Sequence, residues 1–327
     1  MKKILIALCA VATIVSCSKN EFVDVDQDAI AFGNAFVNNG TRATDGFTIE
    51  TNELLAFNVW ATTQRSNTQP IVPILSEVAV SRTDATSAWA YSAAYTQYWI
   101  PGNTYQFAAA KNYASVTLAN GVPSQFTYDA AAQLDLLYAA DTRVGMAAGA
   151  NAAVAFTFDH LLSKAYFTVD TNPMSGNNAN YTYRVSNICI NNAVKEATYT
   201  VADGTWAGTT NYTPQAPLTF DDVNGYSKLV ANQTYTSDLA RLLVPATYDD
   251  NNNDNNDNLN ITCTIETLYG DAVIDVQNYN KTITHEFVKG YVYNFVLALQ
   301  DPGQPIEFTV TRVNEWIPNG NSSIPGL

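Results

Sequence analysis

The sequence predicts an all-β protein built from antiparallel β-sandwiches, and two observations carry that prediction. Apolar and polar residues alternate with a period of two in many short stretches, as they do in strands that bury one face. Clusters of Asn, Gly, Pro and Asp separate these stretches, and no helical periodicity fills the intervals. Many short strands without intervening helices are typical of antiparallel sandwiches.

The clearest strand-like stretches are spread along the whole chain. In chain order they are residues 55–60, 105–109, 154–158, 261–265 and 291–297. In each one, large apolar side chains occupy every second position, so we expect one face to be buried. One or two helical turns are predicted near residues 129–137, with Asp129 as the N-cap.

Length and composition limit the function. At ~100–200 residues per domain, a chain of 327 residues predicts about two domains. Hydrophobic residues make up 47% of the chain, which excludes intrinsic disorder for most of it. A net charge of −14 would repel phosphates, so we expect no nucleic-acid partner. The composition indicates a secreted or surface-exposed protein that is not an enzyme.

The first 17 residues are typical of a bacterial lipoprotein signal peptide. Lys2 and Lys3 precede an apolar stretch, residues 4–15, that is too short to cross a ~30 Å hydrocarbon core at ~1.5 Å per residue. Ser16 and Cys17 end the stretch in the manner of a lipobox, in which the cysteine receives the lipid and becomes the first residue. Acyl chains on Cys17 would anchor the mature protein. An ordinary signal peptide with a chance cysteine is the alternative.

Two polar stretches interrupt the predicted strands. The Gly- and Ala-rich residues from Asp141 to Ala153 form the best boundary between two domains. Residues from Thr171 to Asn180 are predicted to form a long loop inside the second domain.

The remaining cysteines and the Asn/Asp-rich segment each leave two interpretations open. Cys189 and Cys263 both lie in strand-like sequence, and they are either bridged after export or kept as two buried thiols. The segment from Asp249 to Asn258 has oxygen-rich side chains at the alternate positions Asp250, Asn252 and Asp254, as a calcium loop does, but the turn glycine and the closing glutamate are missing. A solvated loop is the favoured interpretation, and no metal or other cofactor is expected.

No motif in the sequence indicates catalysis. A G-x-S-x-G elbow and a Gly-rich phosphate loop are both missing. His160 could act as a base, although a hydrogen-bonded structural histidine at a strand end is favoured, and His285 lacks the second histidine of a zinc protease. A pair of loop carboxylates, as in glycosidases, is the open enzymatic alternative. We therefore predict no catalytic residues.

The abundant aromatic residues also allow two interpretations. Five Trp and nineteen Tyr would suit stacking on sugars. Trp60, Trp99 and Trp316 lie within alternating stretches, however, which favours core packing.

Several segments together resemble the fimbrillin family of Bacteroidetes, which comprises the major and minor fimbrial subunits and their Mfa-like lipoprotein relatives. In chain order, the segments that carry the resemblance are the lipobox at Cys17, residues 41–44 after the strand-like 29–32, and residues 98–109, 135–139, 154–164, 290–295 and 308–316. Each motif is weak alone, but seven in this order span nearly the whole chain.

The resemblance implies two tandem transthyretin-like antiparallel β-sandwich domains in a subunit that assembles into a fimbria. It divides the chain into a lipoprotein signal peptide at 1–17, a propeptide with the first strand at 18–42, and sandwiches at 43–150 and 151–327. In polymerising members, a trypsin-like protease at the outer membrane cuts the lipidated precursor after an arginine. The first β-strand is then lost, and a neighbouring subunit supplies a strand to the vacated groove.

Carried over to this sequence, the resemblance implies a cut between Arg42 and Ala43 and a displaced strand that includes Ile30 and Phe32. Polar residues flank the cut on both sides, as a protease substrate requires. Ile30 and Phe32 would share one face, so removing them exposes apolar surface and unpaired backbone groups, which an added strand restores. Repeated head to tail, that contact gives an open filament.

The C-terminal tail departs from what a donor strand needs. Pro318 and Pro325 have no N–H to donate to a strand ladder, so the stretch from Ile306 to Val313 is the alternative donor. Shaft, tip and anchor positions therefore all stay open.

The sequence predicts a lipid-exported fimbrial subunit that supports adhesion and polymerises with other subunits after proteolysis. The alternative is a permanently lipid-anchored surface module that binds glycans or host proteins.

Overall fold

The computed structural model describes residues 28–33, 35–37, 54–84, 86–174, 180–209, 214–248 and 258–315. Regular structure in these ranges is almost entirely β, and the helices are 3₁₀ turns of three or four residues. None of the helices in these ranges is long and apolar enough to span a membrane. The all-β prediction is confirmed.

The strands of the described ranges are, in chain order, β1 (Phe36–Val37), β2 (Ala56–Gln64), β3 (Val72–Ser81), β4 (Thr104–Lys111), β5 (Ser115–Ala119), β6 (Val122–Asp129), β7 (Leu137–Val144), β8 (Thr157–His160), β9 (Ser163–Asp170), β10 (Tyr181–Asn191), β11 (Glu196–Thr200), β12 (Thr205–Ala207), β13 (Leu218–Thr219), β14 (Thr234–Thr236), β15 (Arg241–Leu243), β16 (Thr247–Tyr248), β17 (Leu259–Tyr269), β18 (Ala272–Ile283), β19 (His285–Glu286), β20 (Tyr291–Ala298) and β21 (Glu307–Glu315).

One six-stranded sheet dominates the N-terminal half, in the order β1-β8-β7-β4-β2-β3. Its neighbours are antiparallel except for β1 and β8, which are parallel. The alternation in β2 buries Phe57, Val59 and Ala61. These side chains join a core that also contains Ile30 and Phe32.

Two further sheets form the C-terminal half. One has the order β13-β10-β17-β18, and the other has the order β14-β9-β20-β21, with β15 also paired to β9. Alternate residues of both sheets, such as Phe167 of β9, Ile265 of β17 and Phe295 of β20, belong to one apolar core. Strands β18 and β21 are the edges of these sheets, and Tyr279 and Phe308 bring them together with ring centroids 6.5 Å apart.

Strands from the two sides of residue 150 also meet within single sheets. Strand β8 belongs to the N-terminal sheet, and the sheet β12-β11-β6-β5 joins residues 115–129 to residues 196–207. Strand β7 runs to Val144, inside the stretch from which the boundary was predicted. The division at residue 150 stays a prediction.

Several local predictions are confirmed. The Asp129 carboxylate caps a 3₁₀ turn, accepting a hydrogen bond of 2.9 Å from the Ala131 N–H. Strand β9 ends at Asp170 and β10 begins at Tyr181, so the predicted loop falls between two strands; residues 175–179 of it lie outside the described ranges. Trp60 and Trp99 are buried in the core, whereas Trp316 lies outside the described residues.

Cys189 and Cys263 are free thiols on adjacent strands. Cys263 lies on the buried face of β17, in line with Ile261 and Ile265. Cys189 pairs with Thr262, whose side chain lies on the opposite face. The two thiols therefore point to opposite sides of the sheet and do not form a bridge.

Candidate functional site

The leading segment, residues 28–33 and 35–37, lies between two other parts of the N-terminal half. On its first side it runs antiparallel to residues 97–99. The Ile30 N–H donates to the Gln97 carbonyl at 2.8 Å, and the Trp99 N–H donates to the Asp28 carbonyl at 3.0 Å. This side of the segment is therefore paired as a strand would be.

The second side of the leading segment pairs with residues that precede β8. The Gly33 N–H donates to the Val154 carbonyl at 2.8 Å, and the Val154 N–H donates to the Ala31 carbonyl at 2.8 Å. The pairing is parallel here, and β1 continues it along β8. Residues 28–33 thus have chain bonded to both edges, as an inner strand has, whereas β1 pairs with β8 on one side and is the edge of its sheet in the described ranges.

The side chains of the leading segment are part of the core. Ile30 is 1% exposed and Phe32 is 5% exposed. The Phe32 ring stacks on Phe156 at 5.9 Å and meets the edges of Tyr91 at 5.4 Å and Phe107 at 6.5 Å. Burial of each large side chain contributes about 1.5–3 kcal/mol, so removing the segment would expose a costly apolar groove.

Two polar contacts hold the start of the leading segment. The Asp28 carboxylate accepts hydrogen bonds from the Gly149 N–H at 2.7 Å and from the Asn151 amide at 3.0 Å. The Asn151 side-chain hydrogen bond, aided by the backbone N–H groups, lowers the pKa of Asp28. The Tyr91 hydroxyl donates to the Ile30 carbonyl at 2.6 Å.

Gly33 allows the close approach of the leading segment to the chain before β8. A Cβ atom at this position would lie 3.1 Å from the Cβ of Ala153, closer than such atoms normally come. A larger side chain at Gly33 would therefore require Ala153 to shift.

The predicted site residues divide into two groups. Ile30 and Phe32 lie side by side in the core, on the face that the sequence predicted. Cys17, Arg42 and Ala43 lie outside the described residues, so their lipidation and cleavage stay predictions.

The alternative donor stretch is an edge strand of the C-terminal half. Strand β21 pairs with β20 along one side, and no strand of the described ranges pairs with its other side. Phe308 and Val310 of β21, and Ile306 just before it, are half-buried, and the Phe308 ring stacks on Phe295 at 6.1 Å. The proline-containing tail after Glu315 lies outside the described residues.

The histidines occupy structural settings. The Nδ1 atom of His160 lies 2.6 Å from a carboxylate oxygen of Asp135, and the ring is 8% exposed. This contact ties the end of β8 to the chain before β7. His285 packs against Phe287 and Tyr293, and burial together with nearby Arg312 lowers its pKa.

The described residues contain no group of three or more His, Cys, Asp or Glu side chains that could hold a metal ion. All but the last residue of the Asp249–Asn258 loop lies outside them.

Sequence reasoning missed the role of Asp28 within the leading segment, and it missed Tyr91 and Asn151 as contacts of that segment. The available signal was weak, because Tyr91 is 61 residues from Ile30 and Asn151 is 123 residues from Asp28. Trp99 and Val154 were in motifs that the sequence singled out, but nothing in those motifs showed that the leading segment lies between them.

A family model described as fimbrillin-like matches residues 41–316. The chain belongs to the fimbrillin-like family. The match spans both halves of the fold and confirms the resemblance seen in the sequence.

Solved structures of similar fold include a fimbrial protein from Bacteroides vulgatus, with a TM-score of 0.58 at 12% identity over 88% of this chain and 99% of that one. A candidate cell adhesion protein from Bacteroides uniformis matches with a TM-score of 0.51 at 17% identity, over 89% and 99% of the two chains. Another, from Bacteroides ovatus, matches with a TM-score of 0.52 at 16% identity, over 89% and 98%. At these identities the likeness shows a shared fold. A search of the curated proteins finds no significant match.

Proposed function

We propose that this chain is a structural fimbrial subunit that is exported as a lipoprotein, supports adhesion, and assembles by strand exchange after proteolysis. The observation that carries the proposal is the leading segment, which is bonded on both edges and buries Ile30 and Phe32. Membership in the fimbrillin-like family supports the fimbrial role, and the protein has no catalytic activity of its own.

Proteolysis supplies the trigger. Hydrolysis of the Arg42–Ala43 bond by a trypsin-like, Arg-specific protease leaves the leading segment held only by non-covalent contacts. The lipid on Cys17 keeps the uncut chain at the outer membrane, and the cut separates the rest of the chain from that anchor. When the leading segment dissociates, it exposes backbone donors and acceptors on both walls of its groove. These unpaired groups favour pairing with a strand of another chain.

Strand β21 of a neighbouring subunit is the donor we favour. Ile306 and Phe308 repeat the spacing of Ile30 and Phe32. A donor that runs in the same direction as the leading segment would place Phe308 in the aromatic pocket of Phe32. It would also restore antiparallel pairing with residues 97–99 and parallel pairing with Val154.

Cleavage and assembly can be followed with the chain that lacks residues 1–17. Treatment with an Arg-specific protease should yield a new N-terminus at Ala43, followed by ladders of polymer on a mild gel. The Arg42→Gln variant should stay uncut and monomeric under the same conditions. A chain that is cut at Ala43 and remains monomeric would overturn the proposal and favour the lipid-anchored glycan- or protein-binding module.

A further inference from the structure

Exposed apolar side chains are concentrated in two places on this protein. Of the fourteen large hydrophobic side chains that are exposed in the described ranges, eleven fall into two groups. We call the first group the mouth patch; it consists of Tyr95, Tyr98, Ile100, Val144 and Met146. We call the second group the hairpin patch; it consists of Tyr226, Val230, Tyr269, Val273, Ile274 and Val276. The side chains in both patches are 40–58% exposed.

The mouth patch surrounds the beginning of the leading segment. Its two loops are joined by the hydrogen bond of 2.8 Å from the Gly102 N–H to the Gly145 carbonyl. Tyr98 forms a bridge with Ala29, and the Met146 N–H donates to the side chain of Asn151, the residue that holds Asp28. The patch therefore lies at the end of the groove where residue 28 enters.

The hairpin patch is formed by the β17–β18 hairpin and the loop packed beside it. The Tyr226 hydroxyl donates to the Glu266 carboxylate at 2.9 Å, and Lys228 donates to the Gly270 carbonyl at the hairpin turn. Val276 pairs directly with Glu266 across the hairpin. Tyr226 also has a φ of +62°, a strained value for a bulky residue, and the Arg184 guanidinium lies 5.2 Å from the centre of its ring.

The hairpin patch lies beside the point where β21 begins. Tyr183 of β10 pairs with Thr267 near the hairpin tip, and its hydroxyl donates to the Gln300 carbonyl at 2.8 Å. Gln300 lies in the connection between the end of β20 at Ala298 and the start of β21 at Glu307. A donated β21 would therefore leave the body of its subunit next to the hairpin patch.

Charge favours a second copy as the occupant of each patch. Copies with a net charge of −14 repel one another, so they can approach most easily through surfaces without uncompensated charge. The mouth patch consists of uncharged residues. Around the hairpin patch, Lys228 pairs with Asp271 and Arg184 pairs with Glu266. The carboxylate of Asp275, between Ile274 and Val276, accepts a hydrogen bond of 2.8 Å from the Gln277 amide and is the one acidic group within the patch strand that pairs with an amide rather than with a cation.

We infer that the mouth patch of one subunit packs against the hairpin patch of the next, as a second contact beside the exchanged strand. The inference rests on the proposed function. A β21 that enters the groove in the direction of the leading segment begins at the mouth patch, and its own subunit brings the hairpin patch to that place. Because the two patches differ, the contact is head to tail and does not close on itself.

Two single substitutions test the contact. Ile100→Glu places a charge in the mouth patch, and Ile274→Glu places one in the hairpin patch. Leu118→Glu, at an exposed position outside both patches, is the matched control. After cleavage at Arg42, we expect either patch variant alone to polymerise at least tenfold more slowly than the control, as followed by light scattering.

A mixture of the two variants reveals the direction of the contact. One intact mouth patch and one intact hairpin patch remain per pair, so an equal mixture should form dimers with the wild-type rate constant for that one pairing, while longer polymers stay slow. Growth of either variant at the control rate would overturn the inference, as would dimers formed by one variant alone at the wild-type rate.

A peptide separates this inference from the proposed function. Synthetic residues 304–315 should bind cut wild-type chain and both patch variants with the same affinity, because the groove is unchanged. Equal peptide binding together with unimpaired growth of the variants would overturn the patch contact alone. Absence of peptide binding and of polymer with the wild-type chain would overturn both proposals.

Discussion

Phe32 is the side chain through which the leading segment contributes most to the core. Its ring meets three aromatic rings, and Phe→Ala changes at such sites cost about 3–5 kcal/mol. We expect Phe32→Ala to lower the free energy of unfolding of the uncut chain by that amount, measured by denaturant titration. Leu118→Ala, at an exposed position, should change it by less than ~0.5 kcal/mol. A Phe32→Ala chain as stable as wild type would show that the pocket is not filled by this ring.

Asp28 makes the attachment of the leading segment depend on pH. Hydrogen bonding lowers the pKa of Asp28 in the folded chain, so its contribution to stability is present above the unfolded value of about 3.9 and is lost as the pH falls through the folded value. We expect the melting temperature of wild type to exceed that of Asp28→Ala at pH 6, and the two curves to converge below about pH 4. A difference that stays constant down to pH 2 would contradict this account of Asp28.

For single residues, the sequence could predict which side chains point into the core, but not which side chains they contact. The period of two placed Ile30 and Phe32 on one face, and burial follows from that pattern. The Asp28 carboxylate is bound by a loop that begins 121 residues further along the chain. The space available for a side chain at Gly33 is limited by the Cβ atom of Ala153. Such contacts depend on how distant loops meet, which local pattern does not determine.

Among the strands, β21 combines two roles in this account, because it covers part of one core and is the proposed donor to another. We expect the double change Ile306→Asp and Phe308→Asp to leave cleavage at Arg42 intact but to abolish donation, since two apolar anchors are lost. Glu307→Gln, on the exposed face of the same strand and at the register position of the exposed Ala31, should polymerise as wild type does.

Mixing the double variant with cut wild-type chain tests the donor role of β21 more directly. A subunit that can accept a strand but cannot donate one should cap growing filaments, so adding it to cut wild-type chain should shorten the ladder in proportion to its fraction. Filaments of unchanged length distribution would show that β21 is not the donor.

Strands with strong alternation, such as β2, β4, β17 and β20, could be predicted from sequence because one face of each is buried. The pairing of those strands could not. Strands β9 and β20 are parallel neighbours although the chain between them is long, and the sheet β12-β11-β6-β5 joins both halves. Register between distant strands depends on the packing of the whole core, so local periodicity carries little information about it.

In the whole molecule, the N-terminal half has the proposed acceptor groove and the C-terminal half has the proposed donor strand. The N-terminal half contains a segment that is bonded like an inner strand but precedes the predicted cut, and the C-terminal half contains β21, an edge strand of the described sheets that pairs with β20 alone. Acceptor and donor on one chain, at different places, give a heterologous contact that propagates as an open filament. The family assignment agrees with this organisation but does not by itself locate either element.

Release of the cut propeptide tests strand exchange most directly. After cleavage at Arg42, the fragment that ends at this residue can be measured by mass spectrometry in separated monomer and polymer fractions. The account predicts that the cut monomer retains one fragment per chain and that the polymer has lost it, with release equal to the fraction of subunits assembled. Polymer that retains one fragment per subunit would contradict it, because the groove would still be filled by its own leading segment.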